Sequence, residues 1–259
     1  MNYKIVFCDL DGTLLNSNHQ LSTSNANTIK NLPVPFIAVS ARMPKGITCF
    51  TDQLGIDCPI CAYNGAYIFH HDRIINNVTI PYHLVKDIAA ALKDTTAHLS
   101  IYQSDEWYIE KNDIYSKNEA QITNITPSVV DFSKTDLSNV NKLLVISSLD
   151  DIDAITASLQ NYRDQVTIVK SKPDYVEIMP KGTSKQEAIR LILEYYSLEA
   201  HQAIAIGDNY NDEPMIGAVG RGILLANAPG DLRAIYETSQ YTNDQDGVSK
   251  ILEQLILKK

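Results

Sequence analysis

Lys4-Ile5-Val6-Phe7-Cys8-Asp9-Leu10-Asp11-Gly12-Thr13 passes from an apolar, β-branched run straight into two carboxylates and a glycine. A short continuous run of this kind reads as a buried parallel strand. Outward from it, residues 22–32 read as a helix with Ser22 or Thr23 as N-cap and Pro33 as its stop. Val34–Val39 is a second strand. Residues 44–54 form a second helix, which tolerates Pro44 in its first turn and has Gly55 just past its end, and Pro59–Tyr63 is a third strand. Strands alternating with helices imply a parallel sheet with right-handed crossovers. Gly65 then opens a hairpin that pairs Ala66–Phe69 with Ile74–Val78.

From Pro81 the texture changes. Leu84–Leu92 is helical, Leu99–Gln103 pairs with Trp107–Glu110, and Lys142–Ser147, Val166–Lys170 and Tyr175–Met179 are strands, with a helix over 151–162. Strands joined by tight turns imply an antiparallel sheet with helices on one face. The polar stretch 111–140 yields only a helix near 114–121. After Pro180 and Gly182 the first pattern returns: helix 184–196, strand Ala203–Ile206, helix 212–218, strand Gly222–Leu225, and helices over 231–236 and 248–257. The expected fold class is α/β. A Rossmann-like parallel-sheet core built from residues 1–81 and 183–259 would carry an inserted α+β domain over 82–182.

An apolar content of 44% and a charged content of 20% over 259 residues suit a soluble globular chain. The net charge of −9 repels polynucleotides and anionic membranes, and no Lys/Arg run offsets it. No stretch is apolar for long enough to span a bilayer, and the N-terminus is too short and too acidic for a secretory signal. The expectation is a cytoplasmic protein without a nucleic-acid or membrane partner. Cys8 reads as a buried thiol. Cys58-Pro59-Ile60-Cys61 lacks the second ligand pair of a structural zinc site, so Cys61 reads as part of a buried strand. The six histidines show no metal-ligand spacing, and His70-His71 reads as a hairpin tip.

Asp9-Leu10-Asp11-Gly12-Thr13 carries the chemistry. Four fixed positions of this kind arise by chance about 0.002 times in such a chain. Open parallel sheets bind ligands at the carboxyl ends of their strands, where the motif lies. Two carboxylates one residue apart allow one to be a nucleophile while the other serves as general acid and then base. Gly12 permits the sharp turn that aims backbone N–H groups at a phosphate.

The motif resembles the first motif of the haloacid dehalogenase-like phosphatase superfamily, and the other motifs of that family follow in order. Ser40 ends the second strand in Ala38-Val39-Ser40-Ala41-Arg42. Lys185 opens a later helix in Lys181-Gly182-Thr183-Ser184-Lys185. The acidic pair lies in Gly207-Asp208-Asn209-Tyr210-Asn211-Asp212. The inserted domain resembles the αβ cap of the Cof-type branch, as do Asn64-Gly65-Ala66, Glu177-Ile178 and Asn227-Ala228. One departure is Ser40-Ala41-Arg42, where the branch usually reads Thr-Gly-Arg; Ser keeps the hydroxyl and Ala41 keeps its N–H.

The resemblance implies a Mg²⁺-dependent phosphatase acting on a small phosphorylated metabolite. Asp9 would be the nucleophile and Asp11 the acid/base. Asp208, the Asp9 carboxylate and the Asp11 carbonyl would be metal ligands. Ser40, Lys185, Asn211 and the N–H groups of Leu10 and Ala41 would hold the phosphoryl oxygens. Asp212 would be a direct ligand or would orient the metal's waters or Lys185. Arg42 reads equally as a substrate contact or as the partner of a carboxylate, Asn64 equally as a turn residue or a substrate contact, and Asp174 with Tyr175 as a cap turn that could overhang the site. A phosphomutase on the same scaffold, or a non-catalytic phosphate-sensing module, are the competing functions; the second has no need of a nucleophile paired with an acid/base.

Overall fold

The computed structural model describes residues 3–257. In chain order the elements are β1 (Ile5–Cys8), α1 (Thr23–Lys30), β2 (Phe36–Ala38), α2 (Lys45–Leu54), β3 (Ile60–Ala62), β4 (Tyr67–His70) and β5 (Arg73–Asn77). Next come α3 (Tyr82–Leu92), β6 (His98–Gln103), β7 (Glu106–Ile109), α4 (Ile114–Thr123), β8 (Ser128–Val129), β9 (Val140–Ile146), α5 (Ile152–Leu159), β10 (Val166–Lys172) and β11 (Tyr175–Pro180). The last are α6 (Lys185–Tyr195), β12 (Ala203–Gly207), α7 (Glu213–Ile216), β13 (Arg221–Leu224), α8 (Gly230–Arg233) and α9 (Gly247–Leu252). Among the described residues no helix is long and apolar enough to cross a membrane.

The chain divides into two compact units. The first takes the described residues up to Arg42, Ile47–Asn76, and those from Ser184 on; the second takes Met43–Gly46 and Asn77–Thr183. The segment from Asn77 to Pro81 thus goes with the second unit. Asn141 Nδ2 donates to Asn77 Oδ1 at 2.8 Å and to the Val78 carbonyl at 3.0 Å, and Ile80 N donates to the Val140 carbonyl at 2.7 Å.

In the first unit the strand order is β13-β12-β1-β2, all parallel. A parallel bridge between Val39 and Cys61 attaches β3, which pairs antiparallel with β4, and β5 lies on the far side of β4. All four residues of β1 are buried, as its unbroken apolar run requires. Ile5 and Phe7 pack with Ile37, Ala203 and Ala205 against Ile189, Ile192 and Leu193 of α6 and Met215 and Ile216 of α7. Each of the larger side chains, Ile, Leu, Met and Phe, contributes roughly 1.5–3 kcal/mol by leaving water. α1 starts at Ser22, whose hydroxyl accepts from Asn25 N at 3.1 Å. It packs with α9 through a 2.6 Å bond between the Thr28 and Ser249 hydroxyls.

The second unit is built on a six-stranded sheet, β10-β11-β9-β6-β7-β8, antiparallel except for the β7–β8 pair. Leu84, Val85 and Ile88 of α3 and Ile152, Ile155 and Leu159 of α5 cover one face, against Ile101, Leu143, Val145, Val176 and Ile178. The expectation of helices on one face only needs correcting. α4 meets residues of the opposite face, where Tyr175 donates to Glu119 at 3.1 Å and His98 bonds Asp113, the N-cap of α4, at 2.8 Å.

Candidate active site

Three neighbouring parallel strands end side by side. Cys8 of β1 stands opposite Ile206 of β12 and Ala38 of β2. Asp9, Asp208 and Ser40 therefore leave the sheet at the same edge, and Asp9 N still donates to the Ile206 carbonyl at 3.0 Å. The chain then folds back tightly. Leu14 N donates to the Asp9 carbonyl at 3.2 Å, and the Leu10 carbonyl accepts from Thr13 N at 3.3 Å and Leu15 N at 2.9 Å. Gly12 turns this loop with φ +84°, and a Cβ there would lie 2.5 Å from Asp208 Oδ2. The glycine is required both by the turn and by the approach of the second acid.

Lys185, the first residue of α6, donates to Asp9 Oδ1 and, at 2.6 Å, to Asp212 Oδ1. All three groups are buried. The other Asp212 oxygen accepts from Asp208 N at 2.8 Å and Asn209 N at 3.1 Å. Both oxygens of Asp212 are thus engaged in holding Lys185 and the loop after β12. Gly207 allows that approach, since a Cβ there would meet the Asp212 side chain at 2.5 Å. Carboxylate oxygens of Asp9, Asp208 and Asp212 lie within 4.8 Å of one another.

Burial pushes the Asp9 carboxyl well above its ordinary range against the pull of Lys185, with Asp212 and Asp208 adding to the rise. Asp208 is pushed up to about 6, chiefly by burial and partly by Asp212, against the Thr13 hydrogen bond and Lys185. Burial disfavours the Lys185 ammonium, but Asp212 and Asp9 outweigh it and raise its pKa. When all three acids are ionised, three carboxylates around one ammonium leave a surplus of two negative charges in a buried place.

Asp11 stands apart from this cluster. Arg42 grips it with two bonds, Nε to Oδ2 at 2.7 Å and Nη2 to Oδ1 at 2.6 Å, and His19 Nδ1 lies 3.0 Å from Oδ1. Burial raises the Asp11 carboxyl, yet the Arg42 and His19 contacts outweigh it and hold it below its ordinary range. Of the two readings of Arg42, the carboxylate partner is the one this geometry contains. The Ser40 hydroxyl accepts from Arg42 N at 3.1 Å. Asn64 is buried in a left-handed conformation, φ 53°, and its N–H donates to the Ser40 carbonyl at 2.8 Å. Ala41 is half-buried between Ser40 and Arg42, the Leu10 side chain is core, and Asn211 is exposed in the turn before α7. Asp174 and Tyr175 belong to the second unit, where the Tyr175 ring is buried and its hydroxyl is spent on Glu119.

Two residues without an assigned role bind the acids. Thr13 Oγ1, fully buried, donates to Asp208 Oδ1 at 2.6 Å. Asn227 Nδ2 donates to the Gly12 carbonyl at 2.8 Å and to Asp208 Oδ2 at 3.2 Å. Both stand inside recognisable motifs, Thr13 in the first and Asn227 in Asn227-Ala228, so motif membership was the available signal. His19 lies outside any motif and carries no sequence signal.

Comparison with known proteins follows the same lines. The haloacid dehalogenase-like hydrolase family matches residues 6–252. A Haemophilus influenzae protein with the name "Putative phosphatase" is 30% identical, over 98% of both chains. A Bacillus subtilis 5-amino-6-(5-phospho-D-ribitylamino)uracil phosphatase is 24% identical over 96% of both chains. The crystal structure of a haloacid dehalogenase-like hydrolase from Bacteroides thetaiotaomicron superposes with a TM-score of 0.93 at 25% identity, covering 98% of this chain and 100% of that one. The match over nearly the whole chain, with the paired acids at one sheet edge, establishes that this protein belongs to the haloacid dehalogenase-like hydrolase family, in its Cof-type phosphatase branch.

Proposed function

We propose that this phosphatase hydrolyses small phosphomonoesters in the cytoplasm, with Mg²⁺, through an acyl phosphate on Asp9. The observation that carries the reading is the buried Asp9 carboxylate at the end of β1, held by Lys185 beside Asp208. The surplus negative charge of the cluster fits a hard divalent cation with oxygen ligands. Asp9, Asp208 and the Asp11 carbonyl would hold it. When bound, it supplies charge neutralisation between an anionic carboxylate and an anionic ester.

The chain's own groups divide the remaining work. Lys185 fixes the plane of the Asp9 carboxylate, and Asp212 fixes Lys185. An Asp9 oxygen attacks phosphorus and the ester P–O bond breaks. Asp11 gives a proton to the leaving alkoxide, then takes one from the water that cleaves the acyl phosphate, releasing inorganic phosphate and restoring Asp9. Ser40, Lys185, Asn211 and the N–H groups of Leu10 and Ala41 receive the phosphoryl oxygens. The Bacillus subtilis relative acts on a small phosphorylated metabolite, which supports a substrate of that size. Net charge of −9 argues against polynucleotides, and four free cysteines suit a reducing compartment.

Rapid quench with intact-mass measurement tests the mechanism. With an activated aryl phosphate, Asp11→Asn is expected to accumulate a phosphoryl adduct, because its leaving group needs no proton but the attacking water lacks a base. Asp9→Asn is expected never to carry the adduct. A phosphorylated Asp9→Asn protein, or wild-type turnover by both variants, would overturn the proposal.

A further inference from the structure

The histidines show no metal-ligand spacing in the sequence, but the fold gathers two of them. β4 pairs antiparallel with β3 so that Phe69 faces Ile60. That register brings His70 and the turn residue His71 to Asp57, in the loop ahead of β3. His70 Nε2 lies 2.8 Å and His71 Nε2 3.2 Å from the same oxygen, Asp57 Oδ1. The three ligand atoms lie within 4.8 Å of one another. The two imidazoles stack with centroids 4.3 Å apart. A second group orients the site from behind: His70 Nδ1 lies 3.0 Å from the Tyr195 hydroxyl, whose ring packs edge-on at 5.8 Å.

We propose that Asp57, His70 and His71 form a surface site for Zn²⁺, separate from the acidic cluster at Asp9. Tetrahedral Zn²⁺ with N and O ligands places neighbouring donor atoms roughly 3.4 Å apart. The two His–Asp57 separations, 2.8 and 3.2 Å, lie within about 0.6 Å of that spacing. Imidazole donors favour Zn²⁺ over Mg²⁺, so the two centres select different metals. His70 is half-buried with its Nδ1 3.0 Å from the Tyr195 hydroxyl, a contact that would hold the Nδ1–H tautomer and leave Nε2 to ligate. The hydrogen bond from His70 holds the Asp57 carboxyl below its ordinary range, so a carboxylate is available as ligand. His71 and Asp57 side chains are 70% and 72% exposed, which leaves the fourth position open to water. Bound metal would take the place of the direct histidine–Asp57 contacts and clip the β4–β5 turn to the loop before β3.

Metal-free protein in excess Mg²⁺, titrated with Zn²⁺ by calorimetry, tests this. One equivalent is expected to bind and to raise the melting temperature. His71→Ala and Asp57→Asn, both at exposed positions, are expected to weaken binding by at least about tenfold while leaving Mg²⁺-supported turnover unchanged. Asp208→Asn is expected to keep the Zn²⁺ site. Absence of Zn²⁺ binding, binding that both His71→Ala and Asp57→Asn leave unaltered, or binding lost in Asp208→Asn would each overturn the proposal.

Discussion

Asp11 is asked to be an acid first and a base second, and its surroundings favour only the second role. Two guanidinium bonds from Arg42 and the contact with His19 stabilise the carboxylate. Their pull exceeds the effect of burial and keeps the proton affinity low. The step that consumes the Asp11 proton is departure of the alkoxide, and kcat/KM includes that step. For an alkyl phosphate, kcat/KM is therefore expected to fall as pH rises through the Asp11 pKa. Arg42→Met keeps the bulk of a side chain that is 11% exposed and removes the charge. The Asp11 pKa then rises, so the fall should move to higher pH. With an activated aryl phosphate, whose leaving group needs no proton, the displacement should vanish. Coincident alkyl-phosphate profiles for both proteins, with only KM altered, would assign Arg42 to substrate contact instead.

Helix α6 begins with a lysine, an unfavourable charge at the positive end of a helix dipole. Asp9 and Asp212 offset that cost, and the Ser184 hydroxyl secures the helix start by accepting from Glu187 N at 3.2 Å. Ser184→Ala should cost about 1 kcal/mol and lower Tm by about 2–4 °C. Turnover should fall further than the lost stability explains, because the cap positions Lys185. Ser184→Thr should recover both, and a melt with unchanged kcat for Ser184→Ala would refute the coupling. Elements of this kind are legible in sequence where a cap and an apolar period coincide, as with Ser184 ahead of Ala188, Ile189, Ile192 and Leu193 in α6, or where a cap and a stop bracket the segment, as with Ser22 and Pro33 around α1. Others are not. The helix expected over 212–218 shrinks to Glu213–Ile216, since Asp212 turns back to take the Asp208 and Asn209 N–H groups and Gly217 closes the turn. The one expected over 231–236 shortens likewise to Gly230–Arg233. β8 has two exposed residues and no alternation to betray it, and only its pairing with β7 makes it a strand.

At the scale of the whole molecule, the fold class was legible because apolar runs and breakers recur with a regular order, and the acids were legible because each follows its strand. What the pattern could not convey is which carboxylates share a charge balance: Asp208 and Asp9 are distant in sequence, and their coupling exists only through the β1–β12 pairing. That coupling has a thermodynamic consequence. Asp208 has a folded-state pKa of about 6, above its unfolded value of about 3.9. Between those values the folded protein binds more protons than the unfolded chain, so by linkage stability falls as pH rises through that window. The loss is complete about one pH unit above the folded-state pKa of about 6 and is on the order of 3 kcal/mol. Asp208→Asn removes the titrating charge while keeping an oxygen to accept from Thr13. In chelator near neutral pH the variant should therefore melt higher than wild type, and its melting temperature should change less between pH 4 and 6. Mg²⁺, binding the folded state through the same surplus charge, should raise the wild-type melting temperature and leave that of the variant nearly unmoved. If Asp208→Asn melts lower than wild type in chelator, or if Mg²⁺ stabilises both alike, Asp208 is a structural acid and the charge surplus lies elsewhere.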